Sequence, residues 1–170
     1  MMNKNFEIEV CGMGGNNTGY PGGFPGRVQK IIQETIHGRI LNLFSGVSKI
    51  GEVRIDLLRS EATKNCDVFD FISTDRRIWD FVIADPPYAL KSNPEKLKIY
   101  GSVKPFTGNI PFERKMSEYL KKYAKNVLWL DLNAPLPPGF KRKKVWLLLP
   151  GGWHFVRVLS WLENLEKNQL

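Results

Sequence analysis

Long apolar runs are missing from this sequence. The best of them, Val127 to Leu132 and Val145 to Leu149, have strand length and fall far short of the roughly 20 residues a membrane-spanning helix requires, so no membrane partner is expected. Met1 to Glu9 carries charge where a signal peptide would place an apolar block, which predicts an intracellular, cytoplasmic protein. Cysteine is scarce. Cys11 and Cys66 lie far apart and belong to no CxxC pair, which excludes a disulfide framework and a zinc ribbon. Two histidines, His37 and His154, leave little room for a histidine-rich metal site, and no metal is expected.

What is present is an ordinary globular composition with a basic excess. The chain has 170 residues, 42% hydrophobic and 25% charged, and 25 Lys and Arg against 17 Asp and Glu give a net charge of +8. One domain is expected, since a core of this size buries roughly two-thirds of the extended chain's surface unaided. The positive charge suits a polyanionic partner, because neutralising phosphates releases counterions. Nucleic acid is the partner that follows, although many basic proteins are merely soluble.

The residues up to 27 read as a glycine-rich N-terminal loop, with seven glycines between Gly12 and Gly26 and no Gly-Lys-Ser/Thr ending that would make a P-loop. Val28, Ile31, Ile32 and Ile36 have helical spacing and Gly38 follows as a stop, so Arg27 to His37 is a predicted helix. Strands are predicted at Ile40 to Phe44, Glu52 to Leu57, Cys66 to Ile72, Asp80 to Ala84, Val127 to Leu132 and Val145 to Leu149. Residues 89 to 111 read as a long surface loop, and Pro111 to Asn126 as a helix with lysines in its last turns. Trp153 to Leu162 reads as a last strand or the start of a terminal helix, and Glu163 to Leu170 as a charged tail. The sum is an α/β, Rossmann-like, mostly parallel open sheet flanked by helices.

One motif stands out. Asp85-Pro86-Pro87-Tyr88 follows the apolar strand Phe81-Val82-Ile83-Ala84. Consecutive prolines remove donors, fix φ and keep their predecessors out of the helical region, so a stiff extended segment sits at the carboxyl end of a strand, where open α/β sheets bind ligands. A carboxylate, the free carbonyl of Pro86 and an aromatic ring on one ledge suit the alkylation of a base's exocyclic amine. Two acceptors, Asp85 and the Pro86 carbonyl, would draw that weakly nucleophilic nitrogen towards tetrahedral geometry, and Tyr88 would stack on the flipped base.

These residues resemble the class I S-adenosylmethionine-dependent amino-methyltransferases, in particular the DNA adenine N6 group with its Asp-Pro-Pro-Tyr motif. Leu41 to Gly46 is similar to the family's cofactor strand and turn, which implies that Phe44, Ser45 and Gly46 lie against the methionine part of S-adenosylmethionine. The resemblance assigns Asp56 to the ribose hydroxyls, Asp67 to the adenine amine, and Val68 to the same cofactor edge. Tyr20 to Pro25 resembles a segment that closes over the methionine tail. Asn42 stands where the family has an acid and Ser48 where a second glycine is common. Ten positions separate Gly46 from Asp56 against about 20 when a crossover helix intervenes, so the first crossover is shortened. No separate target-recognition domain fits in 170 residues. Specificity would then come from the 89 to 111 loop, a partner or a second copy, which allows a homodimer.

The expected reaction is methyl transfer to adenine N6 in DNA. RNA base amines, including guanine N2, are the close alternative, and a non-catalytic basic nucleic-acid-binding protein is the rival of another class. A C5-cytosine enzyme is disfavoured, because neither cysteine has the Pro-Cys context of a nucleophile. Lys141 to Lys144 is either a solvated run or a phosphate grip. Phe112, Tyr119, Trp129, Trp146 and Trp161 read as core, and His154 as surface.

Overall fold

The computed structural model describes residues 6–15, 17–20, 23–87, 109–152 and 154–168. Tyr88 and nearly all of the 89 to 111 segment lie outside them. The chain order is β1 (Glu7–Gly12), α1 (Gly26–Thr35), β2 (Ile40–Leu43), β3 (Val53–Asp56), β4 (Lys64–Asn65), α2 (Val68–Thr74), β5 (Trp79–Ala84), α3 (Ile110–Tyr123), β6 (Ala124–Asp131), β7 (Phe140–Leu149) and β8 (Arg157–Asn164). The eight strands form one sheet in the order β1-β7-β8-β6-β5-β2-β3-β4. All neighbours are parallel except β8, which runs antiparallel to both β6 and β7. The fold is therefore α/β with a mostly parallel mixed sheet, broadly compatible with a Rossmann-like arrangement. Among the described residues no helix is long and apolar enough to cross a membrane.

Both faces of the central strands are covered, so those strands are apolar throughout rather than alternating. On one face α2 and α3 pack through Val68, Phe71, Ile72, Phe112, Met116 and Leu120 against Leu41, Leu43, Val82, Ala84 and Val127. On the other, α1 contributes Val28, Ile31 and Ile32 against Ile40, Phe81, Ile83, Leu128 and Leu130. The α1 helix ends where Gly38 turns the chain with φ +74°. A Cβ there would come within 2.3 Å of an Asp80 carboxylate oxygen, the same oxygen that accepts from the Arg39 N–H at 2.8 Å.

Three sequence expectations change. Cys66 to Ile72 is not a strand. Asp67 caps a helix instead, accepting from the Phe69 N–H at 2.6 Å, and burial of Val68, Phe71 and Ile72 at helical spacing decides the matter over β-propensity. The N-terminal 27 residues are not all loop. Glu7 to Gly12 adds an edge strand parallel to β7, held by Lys144 Nζ, which lies 2.6 Å from Glu7 and 2.9 Å from Glu9. Both carboxylates raise the Lys144 pKa, and hydrogen bonding to Lys144 lowers that of Glu9. Nor is Glu163 to Leu170 simply a tail: Asn164 is fully buried at the end of β8 and its amide donates to the carbonyls of Lys121 and Ala124 where α3 becomes β6.

Candidate active site

The order of the strands reverses between β2 and β5. From β2 the chain moves outward to β3 and β4, then returns across β2 to β5 and β6. In open α/β sheets the crevice at such a reversal, outside the carboxyl ends of the strands, is where ligands bind. The last residues of the two flanking strands, Leu43 and Ala84, are register partners. Phe44 and Asp85 therefore leave the sheet side by side, about 4.8 Å apart in strand spacing.

The β2 end is strained. Phe44 has φ +60°, the one non-glycine residue among those described with a positive φ, a conformation that costs a side-chain-bearing residue about 1–2 kcal/mol. Gly46 follows with φ +53°, and a Cβ on it would lie 3.1 Å from the Tyr20 ring. Such strain persists only where surrounding structure holds it, and it concentrates at functional sites. Two contacts hold it here: the Ser45 N–H donates to the Ile55 carbonyl at 2.9 Å, and the Gly46 N–H donates to Asp56 Oδ2 at 3.0 Å. Asp56 Oδ1 accepts from Leu58 N and Arg59 N, both at 2.9 Å. Asp56 thus ties the β2 turn to the end of β3, while a carboxylate's roughly four acceptor positions leave room for a further donor.

Ser45 is buried at 4% exposure, and its Oγ has no hydrogen-bond partner among the described residues. A buried hydroxyl without a partner costs about 1–3 kcal/mol unless something else completes it. Beside it, the Asn42 amide donates to the Ile50 carbonyl at 3.1 Å and contacts Ser48 Oγ. Asn42 and Ser48 therefore bond to each other and close the short β2–β3 connection, which contains no helix. Asp67 is half-buried at the head of α2. Val68 packs into the core at 6% exposure, so a ligand could reach it only through its backbone.

At the β5 end, Asp85 and Pro87 are half-buried and Pro86 is buried. Pro86 borders a small pocket of about 40 Å³ with Phe112, Trp129, Asp131 and Asn133, room for about one water molecule. Phe112 is set by the first turn of α3, where the Asn109 side chain caps the helix. Asp131 is buried at 3% exposure at the end of β6 and accepts from the Leu132 N–H at 2.6 Å.

Sequence reasoning brought Phe44, Ser45, Gly46, Asp56, Asp85 and Pro86 to one edge, and the structure brings them there. It did not find Asp131 or Arg59. Asp131 ends an apolar strand as Asp85 does, and that signal could have found it. Arg59 stacks over Tyr20, 4.3 Å from the ring centroid, a pairing across 39 positions that no local pattern announces. The basic run is a strand and not a loop. It lies in β7, with Lys141 on Glu163, Lys144 on Glu7 and Glu9, and Lys143 over the Trp161 ring. Compared with protein-family models and with curated proteins, the chain matches none.

Proposed function

We propose that this chain is a class I S-adenosylmethionine-dependent methyltransferase that acts on the exocyclic amine of a flipped-out base, adenine N6 in DNA. The observation that carries the reading is the pairing of Leu43 with Ala84, which sets a strained turn with an unpartnered buried hydroxyl beside a rigid Asp-Pro-Pro ledge at the sheet's reversal point. The cofactor fits these residues: Ser45 Oγ would gain a partner, and Asp56 at the end of β3 and Asp67 at the head of α2 follow as acceptors.

S-adenosylmethionine supplies a methyl group on a sulfonium, which leaves as a neutral thioether. The remaining work belongs to this chain. The Asp85 carboxylate and the Pro86 carbonyl each accept one N–H of the amine, which localises its lone pair and aims it at the methyl carbon. The methylated nitrogen then releases its surplus proton to Asp85 or to water, so no strong base is required. Tyr88 supplies the stacking surface.

Titration calorimetry with S-adenosylmethionine, followed by incubation with DNA or RNA and nucleoside mass spectrometry, tests both halves. N6-methyladenine in the DNA arm is expected. A product in the RNA arm alone would move the acceptor to RNA, and no heat at millimolar cofactor would favour a nucleic-acid-binding module. Asp85→Ala should lose about 100-fold or more in turnover while keeping its cofactor heat. Unchanged turnover in that variant would remove Asp85 from the mechanism.

A further inference from the structure

A cavity of about 600 Å³ opens between the carboxyl ends of β1 and β7, bordered by Gly12, Met13, Gly15, Leu149, Gly151 and His154. It is separate from the ledge yet shares its edge. β1 runs parallel to β7, and β7 is parallel to β6 and β5 because β8 reverses between them. Three strand spacings of about 4.8 Å, from β7 to β5, put the near wall of the cavity about 14 Å from the ledge. At about 3.4 Å per stacked nucleotide, that distance spans about four nucleotides of one strand.

The walls suit a flat ring. A Cβ at Gly12 or Gly151 would meet nothing within 4 Å, so at these two border residues the main chain has open space beside it in which a planar group can lie. The cavity's volume is in the range of small-ligand pockets. His154 is exposed at its border, and Phe155, next in the chain, is 68% exposed. Arg157, the first residue of β8, reaches this same edge between the cavity and the ledge. An apolar recess with exposed rings beside it and a cation on the way to the ledge has the makings of a base-stacking platform.

We propose that this cavity is a subsite for a nucleotide about four positions from the target base on a single strand of nucleic acid. It rests on the methyl-transfer reading, which is what brings a strand to this edge. Stacking, rather than ion pairing, supplies its affinity, and it gives the chain a second grip on its substrate.

The test uses fluorescence anisotropy with labelled single-stranded DNA and RNA of about twelve nucleotides, long enough to reach from ledge to cavity. Gly12→Leu adds an apolar side chain at the recess border, where a Cβ meets nothing within 4 Å, and Phe155→Ala removes an exposed ring, so both variants should melt with the wild type. Each should weaken binding of the oligonucleotide about 5- to 150-fold and leave cofactor heat unchanged. The DNA and RNA arms show which polymer the subsite takes. Wild-type affinity in both variants overturns the subsite and leaves the methyl-transfer reading standing, as does a wild-type dimer in sedimentation that Gly12→Leu dissociates. Absence of cofactor heat in the wild-type protein overturns the reading beneath it.

Discussion

Removing the Asp56 carboxylate should both loosen the fold and weaken the proposed cofactor site, in separable amounts. The side chain accepts three backbone donors, from Gly46, Leu58 and Arg59. At about 1 kcal/mol net for each hydrogen bond, Asp56→Ala costs about 3 kcal/mol. In a domain of this length that is a fall of about 6–12 °C in melting temperature. Asp56→Asn keeps a carbonyl oxygen for Leu58 and Arg59 but turns an amide N–H towards that of Gly46, so it costs about 1–2 kcal/mol, centred on the turn. Urea unfolding should show a lower midpoint at unchanged slope for both variants. Calorimetry on the folded Asn variant should show cofactor binding weakened about tenfold, the equivalent of about 1.4 kcal/mol. A melting temperature for Asp56→Ala within about 2 °C of wild type would refute the idea that this carboxylate holds the Phe44 to Gly46 turn in its strained form.

Other outcomes follow from the same structure. Asp75 is buried, which works against its charge, but hydrogen bonds from Tyr119, Trp79 and Arg77 outweigh that and hold its pKa below the ordinary value of 3.8. Its stabilising contribution is therefore full above the unfolded pKa and disappears as pH falls through the folded one. Asp75→Asn should cost about 2–3 kcal/mol at neutral pH, and its difference from wild type should shrink in unfolding curves taken below pH 3.8; a gap independent of pH would contradict the assignment. Gly38→Ala should destabilise by about 2 kcal/mol or more, since it combines a positive φ with a Cβ forced onto Asp80. A variant that melts with the wild type would mean that this turn relaxes freely.

Much of the central sheet was legible because its elements obey local rules. The runs Ile40 to Phe44, Asp80 to Ala84 and Val127 to Leu132 have strand length and turn signals beside them, and Phe112, Met116, Tyr119 and Leu120 have helical spacing; strands and a helix stand there. The misread segments are those whose partners are distant. Val68 to Ile72 has strand-like composition, and its helix depends on the Asp67 cap and on packing beside α3. β1 reads as part of a loop until Lys144, more than 130 positions away, pairs with Glu7 and Glu9.

By itself, the sequence determined that a rigid acid-proline-proline ledge ends an apolar strand and that a glycine turn ends an earlier one, because proline and glycine act on their own backbone. Only the tertiary structure decided that these two ends are neighbours, that Phe44 is strained, that Ser45 Oγ has no partner among the described residues, and that a separate recess shares the edge. Those properties depend on strand order and register, and hydrogen bonds between distant segments set both.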